Sequence, residues 1–394
     1  MTSKLRDARL RRGWSQMRLI RELQTAAGRR GAVLPDASVL KTQISRWENG
    51  RRAPDEFYRS LLQDAFELTA PELGFPALVE APDCTYGPEP LNKAASPELV
   101  NALQASLIQL ATLDAAAGPQ TVLALAREQA RFASGLVRGA AGRDRADVSR
   151  VATRLSEFTG WLHQDAGDLD GAVSWTDQAF DLATEAGDPD LVAYVAMRRS
   201  NIDSDRRDNR ASLTRASAAL GAAALDDPRL SGVLLRQRAM AHALIGDEAA
   251  CRRDLDDALQ VVATNGAGHE TTSLVPYVTL SYIEMEAANC YLRLGKHQDA
   301  LDILTQSIQA WPTGTQERDR GLALARLATA YAGAHEVEEA VTTGHAALKV
   351  LTVTRSARIL TQIHDLRREL APVWETPTVR DFNHAFKATT ARKA

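Results

Sequence analysis

Apolar residues recur at three- and four-residue intervals along most of this 394-residue chain, the spacing of one buried helix face. At the N-terminus Leu5, Ala8, Arg9 and Arg12 share a face, which predicts a helix from Lys4 to Arg12 ended by Gly13. Ser15 stands where a second helix needs a cap. Leu19, Ile20 and Leu23 form the buried stripe of that helix, from Gln16 to about Gln24. A third helix is predicted from about Ser38 to Asn49, ended by Gly50. A fourth, Asp55 to Leu68, turns Phe57, Leu61, Leu62, Ala65 and Phe66 inward. Runs of Val, Ile and Thr at period two are nearly absent, so no sheet is predicted.

The pattern breaks between Thr69 and Pro97, where Pro71, Pro76, Pro82, Pro88, Pro90 and Pro97 are interspersed with Gly74 and Gly87. Proline lacks an amide hydrogen and fixes φ, so no long helix survives there. The stretch reads either as a flexible tether or as a loop packed on the body.

Beyond it the chain repeats. Small residues recur seven apart as Ala172/Ala179, Ala211/Ala218, Cys251/Ala258, Ala300/Ser307 and Ala340/Ala347, the first members spaced by 39, 40, 49 and 40 residues. Twelve residues earlier stands another small residue (Gly160, Ala239, Ala288, Ala328), except in the second copy, which has Arg199. Three residues further on come His163, His242, Tyr291 and Tyr331. Small residues so placed let two antiparallel helices approach closely while the ring fills the gap. Turns such as Gly167-Asp168, Gly187-Asp188-Pro189, Asp226-Asp227-Pro228, Gly246-Asp247 and Gly295-Lys296 separate the helices. Pro97 to Gly139 adds a hairpin broken at Gly118-Pro119, Arg355 to Leu370 a capping helix, and the tail after Pro377 reads as loose. The predicted class is all-α, with an N-terminal domain over 1–68, a linker over 69–97, a repeat domain over 98–370 and a tail over 371–394.

Charge divides the chain in the same way. Residues 1–60 carry 14 basic and 6 acidic side chains and the rest carry 33 and 44, so a block of +8 sits on a body of −11. A basic block on an acidic body predicts that only the N-terminus meets a polyanion. The charged N-terminus does not read as a signal peptide and no run of about 18 apolar residues occurs, so a cytoplasmic protein is expected. Cys84, Cys251 and Cys290 are scattered and odd in number, which fits reduced thiols rather than a disulfide framework or a zinc site. No metal or other cofactor is expected.

Two strings in the first 68 residues carry a resemblance. Leu-Arg-x-x-Arg-x-x-x-Gly-Trp-Ser-Gln (Leu5 to Gln16) and Ile-Ser-Arg-Trp-Glu-Asn-Gly-Arg-Arg-x-Pro (Ile44 to Pro54) resemble the XRE/Cro class of bacterial helix-turn-helix repressors. The resemblance implies that the third helix lies in the major groove of double-stranded DNA. It implies that Gln16, at the start of the second helix, holds a phosphate. It makes Lys41 and Thr42 base readers, with Gln43 and Arg46 along the same helix and Arg46 able to fork onto a guanine. Asn49, Arg51 and Arg52 would contact phosphates, and Arg9 with Glu48 would form an ion pair inside the domain. Ile44 and Trp47 would pack inward. The stretch between Gln24 and Leu40 is about 14 residues longer than the compact pattern, so either the second helix is extended or the turn carries a loop made basic by Arg29 and Arg30. Such domains read two half-sites about 34 Å apart as dimers, which implies a homodimer on a palindromic operator.

The repeats resemble the tetratricopeptide (TPR) family, best in Tyr282 to Pro312, with a period of about 40 residues in place of 34. The resemblance implies a superhelix whose concave face is lined by the first helix of each pair. On that face it places Arg154, Glu157, Trp161, Arg236, Met240, Tyr282, Met285 and Asn289, with Asn201 one position off the register. Asn201 and Asn289 are candidate clamps for a peptide backbone, and Trp161, Tyr282 and the methionines a candidate apolar pocket.

An XRE-type domain followed by TPR repeats is similar to the peptide-responsive regulators of Gram-positive bacteria and to regulators of high-GC bacteria. That similarity implies a transcriptional regulator whose repeats dimerise, sense a peptide or small molecule, or both. The alternative is an interaction scaffold that holds a protein partner, with DNA contact secondary. An enzyme is not expected: His-Glu-x-x-His, Gly-x-x-x-x-Gly-Lys-Ser/Thr, Gly-x-Ser-x-Gly and Cys-x-x-Cys are absent. Replacing Arg46 by Ala is expected to relax base choice, and Arg51→Ala to weaken all sequences alike. Selection from random duplexes measures both; the same altered motif from the two variants would remove the distinction.

Overall fold

A computed structural model of the chain describes residues 4–29, 34, 36–49, 54, 56–69, 71–75, 96–223, 226–265, 273–309 and 317–391. They contain eighteen α-helices and no strand. The chain divides into two compact units, Met1–Glu89 and Pro90–Ala394. Among the described residues no helix is long and apolar enough to cross a membrane.

The described residues of the first unit form four helices: α1 (Lys4–Arg11), α2 (Gln16–Arg29), α3 (Ala37–Glu48) and α4 (Glu56–Phe66). The Ser15 hydroxyl accepts from the Arg18 amide at 3.1 Å and starts α2. Leu5, Leu19, Ile20, Leu23, Leu40, Ile44, Trp47, Leu61, Leu62 and Phe66 form one core. The helix α2 runs past Gln24 to Arg29, because Ala26 and Ala27 continue its buried stripe into that core. The extended-helix alternative therefore holds for the first part of the long stretch before Leu40. Arg30, Gly31, Gly50, Cys84 and most of the proline-rich stretch lie outside the described residues.

The second unit is a stack of helical hairpins. The first is α5 (Pro97–Ala117) with α6 (Pro119–Gly139), then α7 (Gly142–Asp165) with α8 (Leu169–Ala186) and α9 (Pro189–Asp205) with α10 (Asn209–Ala222). There follow α11 (Pro228–Leu244) with α12 (Glu248–Asn265), α13 (Leu280–Arg293) with α14 (His297–Gln309), and α15 (Glu317–Gly333) with α16 (Val337–Thr354). The turns are set by aspartates. Asp168, Asp208 and Asp247 accept from the Gly171, Ala211 and Ala250 amides at 3.0–3.1 Å and so open the second helix of three hairpins. Asp188 and Asp227 cap α9 and α11, each ahead of a proline at the first helical position.

The second repeat corrects the register read from sequence. Ala211 is half-buried and Ala218 exposed, whereas Ser212 and Ala219 are buried. Ser200, twelve residues before Ser212, is buried as well and donates to the Ser212 carbonyl at 2.8 Å. Gly160, Ser200, Ala239, Ala288 and Ala328 thus all stand twelve residues before Ala172, Ser212, Cys251, Ala300 and Ala340, and all ten are buried. Serine is as small as the residues it replaces once its hydroxyl is bonded. Asn201 is accordingly on the register, one residue beyond the small position, like Trp161, Met240 and Asn289.

One further expectation changes. The stretch after Pro377 is the helix α18 (Pro377–Ala391), because Val379, Phe382 and Phe386 form an apolar stripe buried in the last core. It follows α17 (Ala357–Glu369) and a short 3₁₀ turn, Ala371–Val373. Cys251 of α12 and Cys290 of α13, far apart in sequence, are free thiols buried in one core.

The stack returns on itself. The helix α5 packs against α16, and α7 against α17. Arg318 of α15 donates to the Asp114 carboxylate at 2.8 Å and to its carbonyl at 3.0 Å, lies 3.2 Å from the Asp165 carboxylate, and covers the Trp161 ring at 4.6 Å. The Ser356 hydroxyl donates to the other Asp165 oxygen. At Gly118, with φ +83°, a Cβ would lie 2.6 Å from the Thr354 carbonyl at the end of α16, so this contact requires glycine.

The close helix approach has a direct test at Gly160, where a Cβ would lie 2.6 Å from Thr176 Oγ1 and 3.2 Å from the Ala172 carbonyl. Gly160→Ala is expected to cost about 1–3 kcal/mol in urea unfolding followed by circular dichroism. An unchanged midpoint would mean that α7 and α8 are not held at this distance.

Candidate functional site

Two surfaces bring functional candidates together, one in each unit. In the first, α3 has two faces. Leu40, Ile44, Trp47 and Glu48 are buried, while Lys41, Arg46 and Asn49 are exposed. A buried ion pair sets the position of α3: Arg9 Nε and Nη2 meet the two Glu48 oxygens at 2.5 and 3.0 Å, and Arg9 Nη1 donates to the Trp14 carbonyl at 2.7 Å. Gln16 Nε2 donates to the same Glu48 carboxylate at 2.9 Å, which fixes its amide beside the start of α2. Gln43 is half-buried, and its Oε1 has no hydrogen-bond partner among the described residues. Asn49 Nδ2 donates to the Ser45 carbonyl at 2.7 Å and closes the end of α3. Not every basic residue is available: Arg12 donates to the Phe66 carbonyl and lies over the Trp14 and Phe66 rings. The Thr42 side chain, Arg51 and Arg52 lie outside the described residues.

In the second unit, the inner ends of α7, α9, α11, α13, α15 and α17 enclose a cavity of about 500 Å³. Its wall is a continuous polar chain. Arg198 donates to Glu157 and to Gln164 Oε1, each at 2.8 Å. Gln164 Nε2 donates to Asn201 at 2.8 Å and to Asp205 at 2.6 Å. Gln237 Oε1 accepts from Asn201 at 3.3 Å and from Arg236 at 2.8 Å. Arg236 also donates to the Tyr282 hydroxyl at 2.8 Å. Arg326 donates to Glu286 at 3.0 Å and to Gln362 at 3.4 Å, while Arg236 lies 3.7 Å from Glu286. Burial alone would raise the Glu286 pKa, but the guanidiniums of Arg326, Arg236 and Arg358 hold it down at about 2. Among the described residues, two buried polar atoms of the lining lack a partner: Arg236 Nε and Asn289 Oδ1.

Of the residues chosen from sequence, Asn201, Arg236, Met240 and Asn289 line this cavity. Five others do not. Arg154 donates to the Leu274 carbonyl and covers the Tyr194 ring. Glu157 is held by Arg198 behind the wall, and Trp161 is stacked on Phe158 beneath Arg318. Tyr282 stands behind Arg236 as its acceptor. Met285 is fully buried in the core of the later repeats and is not part of the cavity lining.

Sequence reasoning missed Gln164, Arg198, Gln237, Glu286, Arg326 and Arg358. Four of these had a signal: Arg198, Gln237, Glu286 and Arg326 each stand two residues before the small position of their repeat. A polar residue recurring at one repeat position inside otherwise apolar helices marks an inward stripe. The one-residue error in the second repeat hid it.

No protein-family model and no curated protein matches the chain. Among solved structures, a Rap protein complexed with Competence and Sporulation Factor is similar at 11% identity and a TM-score of 0.45, over 74% of this chain and 98% of that one. BtubC from P. vanneervenii is similar at 15% identity and 0.42, over 59% and 90%. A signal transduction ATPase with a tetratricopeptide repeat sensor, from Pyrococcus horikoshii, is similar at 12% and 0.41, over 69% and 44%. These are likenesses of helical stacking alone. The class is that of an all-α protein with a tetratricopeptide-like helical body, whose hairpins and repeating small positions are described above.

The depressed Glu286 pKa contributes stability that is complete above the unfolded value near 4.3 and is lost as pH falls toward 2. The stability gap between the native chain and Glu286→Gln is therefore expected to be widest at pH 7 and to narrow below about pH 4. Denaturant titrations at pH 7, 5 and 3.5 measure it; a gap constant with pH would mean that the carboxylate charge is not what Arg236 and Arg326 require.

Proposed function

We propose that the protein is a sequence-specific DNA-binding transcriptional regulator, cytoplasmic and dimeric, whose repeat body senses a ligand in its central cavity. The observation that carries this reading is the two-faced helix α3. Its inner face is locked by the Arg9–Glu48 pair, and its outer face offers Lys41 and Arg46 to solvent. A helix with one rigid face and exposed basic side chains on the other suits the major groove, where Arg46 reads a guanine edge and Lys41 adds charge. The concentration of +8 within residues 1–60 supports the same partner.

The repeat body supplies the response. A ligand that binds one arrangement of the body better than another shifts the spacing of two DNA-binding heads in a dimer, and with it operator affinity. Four residues chosen as concave-face candidates, Asn201, Arg236, Met240 and Asn289, meet at the cavity.

Selection of binding sites from random duplexes with the full chain, with and without cell extract, tests the regulator reading. A palindromic motif with half-sites about one helical turn apart is expected, with affinity falling steeply as salt rises. No enriched motif in either condition, together with a co-purifying protein, would replace this reading by that of an interaction scaffold.

A further inference from the structure

We infer that the central cavity takes a small organic anion that also carries a hydrogen-bond donor. The inference rests on the ligand-sensing part of the regulator reading and gives that ligand a chemical class.

Charge comes first. Six arginines and three carboxylates line the cavity. The carboxylates are already engaged. Asp365 bridges Arg293 at 3.1 Å and Arg368 at 2.9 Å. Glu286 is shared by Arg326 and Arg236, and Asp205 accepts from Gln164. Arg358 of α17 lines the cavity and forms no direct ion pair or hydrogen bond among the described residues; burial disfavours its charge, but the nearby Glu286, Asp205 and Asp165 carboxylates outweigh that and raise its pKa. Six guanidiniums against three carboxylates leave the lining with an excess of positive charge, which an anion would meet.

Hydrogen bonding adds the rest. Among the described residues, Arg236, 4% exposed, has no acceptor for its Nε. Asn289, 8% exposed, likewise has no donor for its Oδ1. Both residues line the cavity with Arg358. The arginines would fork onto a carboxylate or phosphate, and the Asn289 amide would take an O–H or N–H of the same molecule. A neutral ligand would leave the excess of guanidinium unmet, and an anion without an O–H or N–H would leave the Asn289 oxygen unmet. The volume, about 500 Å³, lies within the range that holds small molecules.

The test is calorimetric titration of the full chain, without DNA and at low ionic strength, after dialysis from high salt. The probes are citrate and L-glutamate, tricarballylate as citrate without its hydroxyl, and triethyl citrate as its neutral ester. Saturable binding of citrate or L-glutamate is expected, with none of the ester. Arg358→Gln is expected to weaken it about tenfold or more. Where citrate binds, it should bind more tightly than tricarballylate, and Asn289→Ala should abolish that difference. Absence of saturable binding of either anion, or equal affinity in Arg358→Gln, would each overturn the inference. Anion binding lost in Arg358→Gln but accompanied by no enriched operator would leave the cavity standing and remove the regulator reading instead.

Discussion

The second unit is governed by the enclosure of the first helix of each hairpin. The helices α7, α9, α11, α13 and α15 are covered by their own partner and by the hairpins before and after. Glycine, serine and alanine at the small positions bring the helices close. Side chains with nowhere else to go then turn to the concave side, where they meet only one another. Hence Arg198, Gln237, Glu286 and Arg326, on four successive first helices, belong to one polar wall. Such groups are tolerated away from water only when their hydrogen bonds are met. The places where that condition fails, at Arg236 Nε and Asn289 Oδ1, stand out against a wall otherwise satisfied.

The first unit solves a similar problem on a smaller scale. One carboxylate, Glu48, receives Arg9 from α1 and Gln16 from α2 while sitting on α3. Three helices are oriented by one side chain, and breaking a buried pair from one side typically costs about 3–5 kcal/mol. The exposed face of α3 is therefore presented on a firm support.

Much of the fold was legible because helix periodicity, capping residues and small-residue spacing are local signals. Leu19, Ile20 and Leu23, or Ala172 and Ala179, declare their faces without help from distant residues. The end of α2 was less legible, since Ala26 and Ala27 are weakly apolar and become core only against the rest of their unit. The helix α18 was read as loose tail for a related reason: its stripe of Val379, Phe382 and Phe386 is short and needs the last repeat to bury it. The cavity was half legible. Repeat register places Asn201, Arg236, Met240 and Asn289, but Arg358 belongs to the helix beyond the repeats and reaches the cavity only because the stack curves back. No spacing in the sequence encodes that return.

That return has a consequence for how the protein can vary. An open array of repeats can gain or lose a unit at modest cost, because each unit touches only its neighbours. Here the Gly118 turn meets the end of α16, and Arg318 reaches from α15 to Asp114 and Asp165 of the opening helices. Deleting or adding one hairpin would carry those groups past one another. The number of repeats is thus fixed by geometry, as the number of staves is fixed in a closed barrel, and insertions are confined to the turns between helices.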